Sequence, residues 1–177
     1  MMCTARFMQR KIEVPAGRLR TAHYQQEMRI WQPWAALAGF AFLLHFIWEV
    51  IQAPLYTGMA DARHWDAVRT CGLASAGDVL VLVTAYAGVA VILRQSDWLA
   101  LPTGRRVVAY LAIGLLLTFV LETVNVYVLQ RWTYRQSMPV LFGIGVSPLM
   151  QWVVVPTLTL WLARRHLGLS SRREVAT

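Results

Sequence analysis

Apolar residues fall along this chain in four blocks, roughly 34–53, 72–93, 107–129 and 140–162, separated by shorter runs that hold most of the charge. Each block is close to the ~20 residues a helix needs to cross a hydrocarbon core, so the pattern predicts four transmembrane helices. The expected fold class is an all-α polytopic membrane protein with its four helices in a bundle. Residues 31–166 form the transmembrane domain, 1–30 a basic tail or surface helix, and 167–177 a second basic tail. Trp31, Pro33 and Trp34 open the first block, and Pro54 and Tyr56 close it, placing aromatic residues at both interfaces.

Composition agrees: 57% of the residues are hydrophobic, too many for a soluble domain of 177 residues. The formal charge of +8 raises nucleic acid as a partner, but the 17 Lys and Arg residues are distributed by loop. Thirteen lie before the first block, between the second and third, or after the fourth; only Arg63, Arg69, Arg131 and Arg135 lie in the other two loops. The positive-inside rule then places both termini in the cytoplasm and explains the charge without nucleic acid. Cys3 and Cys71 fall on opposite sides of that arrangement, so no disulfide framework is implied.

Polar residues inside the blocks repeat at helical spacing and so share faces. His45, Glu49 and Gln52 form one stripe, Ser75 and Asp78 a second, Thr118, Glu122 and Asn125 a third, and Ser147 and Gln151 a fourth. Because consecutive helices alternate in direction, all four stripes lie in the outer half of the membrane and can converge. Ionisable groups at that depth are expensive unless they face partners or a cavity. Three carboxyl groups beside an imidazole cannot all be charged there, so at least one holds a proton at neutral pH. That predicts acid–base chemistry, with Glu122, Glu49, His45 and Asp78 as catalytic residues. Asn125, Gln151, Trp132, Tyr134 and Ser147 are the expected substrate-binding residues. His45 and Glu49 stand one turn apart, as two metal ligands would, but no second His lies in a block, so neither metal nor other cofactor is expected. A glycine-rich phosphate loop, a nucleophile elbow and a paired-Cys motif are all missing from the sequence. Pro148 and Pro156 predict kinks in the fourth helix.

The segments LLHFIWEVIQAPLY and ETVNVYVLQRWTYRQSMPVLFGIGVSPLMQW resemble a group of small bacterial inner-membrane proteins that share WExxQxPLY and WxYxxxMP patterns. The resemblance covers most of residues 40–165, implies a bacterial inner-membrane location, and carries no activity with it. A weaker similarity runs to the membrane-embedded lycopene cyclases, in which a helical acid precedes a W-x-Y element; Glu122, Trp132 and Tyr134 match it. Those cyclases continue to Pro and paired acids, whereas here Leu149 and Met150 follow Pro148. The sterol isomerases of the emopamil-binding family are similar in using a His and Glu four apart with a Glu on another helix, as His45, Glu49 and Glu122 stand, in a different helix order. Both similarities imply protonation of an isoprenoid double bond inside a membrane.

The resulting expectation is an isomerase, cyclase or hydratase acting on an isoprenoid-type lipid from a pocket facing the periplasmic leaflet. The alternatives are a proton- or cation-coupled transport component and a non-catalytic assembly subunit. Expected partners are membrane lipids and an apolar small molecule or lipid, with self-association left open.

Overall fold

The computed structural model describes residues 16–96 and 98–169, with side chains from Trp31 onward; expectations for residues 1–15 and 170–177 lie outside the described residues. Residues 16–32 belong to a unit of their own and are helical. The architecture below belongs to the unit from Pro33 onward.

The described chain is mostly helical, with α1 (Ala16–Gln52), α2 (His64–Ile92), α3 (Gly104–Thr123) and α4 (Val146–His166). Four stretches are long and apolar enough to cross a membrane: Trp31–Leu55, His64–Ile92, Gly104–Val128 and Val146–His166. Their outward faces are apolar, with Leu43, Leu80 and Leu116 each more than half exposed. Backbone hydrogen bonds closed within each helix are the arrangement a hydrocarbon solvent demands.

Several boundaries differ from the sequence pattern. The run between the first two apolar blocks is shorter than the pattern predicts, because α2 begins at His64, eight residues before the second block, and Asp78 stands ~21 Å of helical rise beyond that start. The fourth apolar block does not begin as helix. Val140–Leu141 (β1) and Ile144–Gly145 (β2) pair as an antiparallel hairpin, and α4 starts only at Val146. Phe142 and Gly143 form its two-residue turn with φ of 51° and 82°, the double positive φ that a type I′ turn requires. Hydropathy alone cannot separate this apolar hairpin from helix. The delayed start also places Pro148 in the first turn of α4, where a missing backbone donor breaks no helical bond, so only Pro156 lies within the helix body.

The helices end in identifiable caps. After α2, Arg94 takes φ 49°, with Gln95 N donating to Ala90 O and Arg94 N to Val91 O, the pair of bonds of a Schellman motif. Gly168 ends α4 in the same way, at φ 65°.

Apolar packing concentrates at the end where α2 stops and α3 starts. Leu37 and Ala41 of α1, Leu82 and Val89 of α2, Tyr110 of α3 and Leu160 of α4 belong to one buried cluster. Trp98 from the connecting loop stacks on Tyr86 at 4.6 Å between ring centroids, lies 5.5 Å from Tyr110, and donates its indole N–H to Tyr86 O at 3.2 Å. Arg164 closes that end with a 2.8 Å bond to Ala100 O. The polar stripes are left to the other end.

Candidate functional site

At that other end α1 presents His45, Glu49 and Gln52 one turn apart. Gln52 Nε2 donates to Glu49 Oε1 at 2.7 Å and to Gln151 Oε1, on α4, at 3.2 Å. Ser147 Oγ donates to Gln52 Oε1 at 2.7 Å and accepts from Trp48 Nε1 at 3.2 Å. The donors of this chain therefore run in one direction, from Trp48 through Ser147 and Gln52 toward Glu49.

Gln151 Nε2 then meets three groups: Glu49 Oε1 at 3.1 Å, Asp78 Oδ2 at 3.1 Å and His45 Nδ1 at 2.8 Å. A side-chain amide nitrogen carries two hydrogens. With three groups around it, the amide cannot donate to all of them at once; the shortest contact has His45 Nδ1 accepting, since an amide nitrogen only donates. His45 Nδ1 is also 3.3 Å from Asp78 Oδ2. His45 is wholly buried, and its Nε2 has no hydrogen-bond partner.

A third carboxyl group faces this cluster from α3. Glu122 Oε2 accepts from Tyr134 OH at 2.5 Å and from Trp132 Nε1 at 3.3 Å. Both donors lie beyond the helix, and backbone geometry turns them back toward it. The last turn widens to a π turn over Val124–Val128, with Leu129 N bonded to Val124 O, a feature frequent at functional sites. Gln130 then takes φ 51°, and the strap after it is clasped to the chain following α1: Thr57 N donates to Thr133 O and Arg135 N to Leu55 O, each at 2.9 Å, around a Tyr56–Tyr134 bridge. Gly145 completes the clasp, since a Cβ there would stand 3.1 Å from the Tyr134 ring. Burial holds the Tyr134 phenol above its usual range, and its bond to Glu122 adds to this. Burial raises Tyr56 as well, with the negative charge of Glu122 as the next cause.

Between the two walls lies a cavity of about 670 Å³. Glu49, Asp78, Glu122, Asn125, Gln151 and Trp132 all line it, so six of the nine expected site residues meet there. The other three do not form its wall. His45 stands behind Asp78 and Gln151, Ser147 behind Gln52, and Tyr134 behind Glu122. Asn125 donates to Leu121 O of its own helix at 2.8 Å rather than bridging helices. Trp152 lines the cavity and rests on Gly114, where a Cβ would come within 2.4 Å of its ring.

Four residues beyond the nine expected ones take part in the site. Gln52 was legible from its spacing to Glu49 and is the second hub of the network. Cys71 is buried on the cavity wall, Tyr56 anchors the strap, and Arg131 lines the mouth; Cys71 stands four residues before Ser75 and Tyr56 four after Gln52, so both continue a stripe, whereas Arg131 lies beyond any helix. Among the described residues no three His, Cys, Asp or Glu side chains are grouped as a metal ion requires. No family model, curated protein or solved structure matches the chain.

Proposed function

We propose that this protein is a four-helix bundle of the bacterial inner membrane, with both termini cytoplasmic and the cavity facing the periplasmic leaflet, that performs acid–base chemistry on an isoprenoid-type lipid. The orientation rests on the distribution of Lys and Arg along the sequence, thirteen before the first span, between the second and third or after the fourth, against four in the other two loops. The observation that carries the chemistry is that carboxyl groups from three helices, Glu49, Asp78 and Glu122, line one cavity.

In this reading Glu122 protonates a double bond: its O–H breaks, a C–H forms, and positive charge develops on the neighbouring carbon. The hydroxyl of Tyr134 and the indole N–H of Trp132 already point at Glu122 Oε2 and hold the carboxylate as it forms. Glu49 or Asp78 then takes a proton from the adjacent carbon and the double bond re-forms one position along. One C–H bond is made and one broken, so no redox partner is required. His45 acts through Asp78 as a positioning residue, since it is not on the cavity wall.

The test is carbon-bound deuterium. Proteoliposomes holding the isoprenoid fraction of bacterial membranes are incubated in D₂O, and the lipids are analysed by mass spectrometry. Wild type should label an isoprenoid, and Glu122→Gln should label it at least ~100-fold more slowly, as expected for loss of a general acid. Labelling no greater than in protein-free vesicles would sink the proposal.

A second reading, a proton or cation path, is favoured by one observation. His45 Nε2, Thr118 Oγ1, Thr159 Oγ1 and Tyr110 OH are buried without hydrogen-bond partners; His45 and Thr118 stand at the carboxyl cluster, and Thr159 and Tyr110 lie further along their helices toward the Trp98 end. Proton entry into pyranine-loaded vesicles, abolished by Asp78→Asn, would support that path in place of catalysis.

A further inference from the structure

The cavity walls are unequal. On α1 and α4, the residues lining it are buried or half-buried, among them Gln52, Pro148, Gln151 and Trp152. On α2 and α3 the lining includes exposed residues: Leu73 at 65%, Leu121 at 44%, with Ala74 and Gly77 beside them. These positions belong to apolar spans, so the exposure is toward acyl chains, and it makes a lipid-facing slot lined by α2 and α3. Small residues at Ala74 and Gly77 keep that slot wide; a Cβ on Gly77 would have nothing within 4 Å.

At the upper rim the lining changes character. Thr57 and Arg131, in the loops, and Thr70, in the second turn of α2, are exposed and line the cavity. Arg131 is the only Lys or Arg on the wall, and it makes no ion pair among the described residues. Asp78 lies eight residues along α2 from Thr70, ~12 Å deeper. The slot is thus cationic and hydroxyl-bearing at the interface, apolar along its length and acidic at its inner end.

Resting on the isoprenoid reading above, we infer that the lipid taken by this site is a single-chain isoprenoid with a phosphate head: the chain enters through the slot lined by α2 and α3, and the head stays at the rim on Arg131. A guanidinium is suited to phosphate, and Asp78 lies ~12 Å of helical rise below Thr70 on the same rim. Two-chain lipids are disfavoured because the slot is bounded by two helices that pack together at their other ends.

Native mass spectrometry titrations of the full chain in mild detergent test this with geranylgeranyl phosphate and geranylgeraniol, inorganic phosphate serving as competitor. Wild type should bind the phosphate about tenfold more tightly than the alcohol, the magnitude of one charge-assisted contact. Arg131→Gln should bring the two affinities together. Gly77→Trp should weaken both by at least about tenfold, with Ala74→Leu as a second obstruction of the same slot should Gly77→Trp misfold. Equal affinities in wild type would overturn the phosphate head and leave the isoprenoid reading standing. A folded Gly77→Trp or Ala74→Leu protein that binds like wild type would overturn the entry route. Binding of neither lipid to wild type would overturn the isoprenoid reading and this inference with it, and inorganic phosphate displacing the alcohol and the phosphate equally would show that Arg131 does not hold the head.

Discussion

Single side chains at this site are fixed by what they can donate. Gln52 and Gln151 each turn a carbonyl toward one neighbour and an NH₂ toward another, so the two amides orient Glu49 and Asp78 without adding charge to the membrane interior. The stripe spacing in the sequence shows that these groups share faces, but not that Gln52 and Gln151 bond each other. That contact depends on how α1 and α4 are rotated. Their rotation is set by apolar side chains, above all Trp152. Its ring lies on Gly114 so closely that an added Cβ would come within 2.4 Å of Cε3 and Cζ3. A rigid indole cannot yield there as a flexible side chain would, so Gly114→Ala should destabilise the protein by about 1–3 kcal/mol, read as a lower unfolding midpoint in detergent. Because Trp152 also lines the cavity, lipid binding should weaken in the same variant. Wild-type stability in Gly114→Ala would mean that Trp152 does not rest on α3.

At the scale of elements, the helices were legible and the pieces between them were not. Long apolar runs announce helices by composition, and α2 and α3 appear where the pattern puts them, although α2 starts earlier. The hairpin Val140–Gly145 is as apolar as a helix and is betrayed only by its glycines, while the π turn after Glu122 leaves no sequence mark. The strap is held by backbone bonds, invisible to any residue pattern, yet it delivers Trp132 and Tyr134 to Glu122. Its phenols give a pH prediction. Burial raises Tyr56 and Tyr134 above the ~10 of an unfolded tyrosine. Both therefore favour the folded clasp while neutral: the contribution is complete below pH ~10 and is lost as pH rises through the folded values, because the unfolded chain ionises first. In an absorbance titration at 295 nm, Tyr134→Phe should leave the phenolate signal of the folded protein at pH ~11 unchanged. A drop by one tyrosine's share would show that Tyr134 ionises normally and is not enclosed.

Across the whole molecule the two ends do different work. The Trp98 end is packed with aromatic rings and closed by Arg164; the cavity end gathers the carboxyl groups under a strap, with exposed lining residues on α2 and α3. Which end faces which side of the membrane depends on charge alone, and charge bias acts on loops rather than on packing, so the orientation is independent of everything else proposed here and can be tested by itself. Ser137, on the strap loop at the cavity end, and Ser96, in the loop at the Trp98 end, are both exposed. In a background with Cys3→Ser and Cys71→Ser, Ser137→Cys should react with a membrane-impermeant maleimide in cells with only the outer membrane permeabilised, and Ser96→Cys only after the inner membrane is opened. The reverse pattern would turn the molecule over. The slot and the carboxyl groups would then serve the cytoplasmic leaflet, and Arg131 would meet phosphate heads presented from the cytoplasm. The acid–base reading of Glu49, Asp78 and Glu122 would survive that inversion, because it depends on the cavity they share and not on the side from which its lipid arrives.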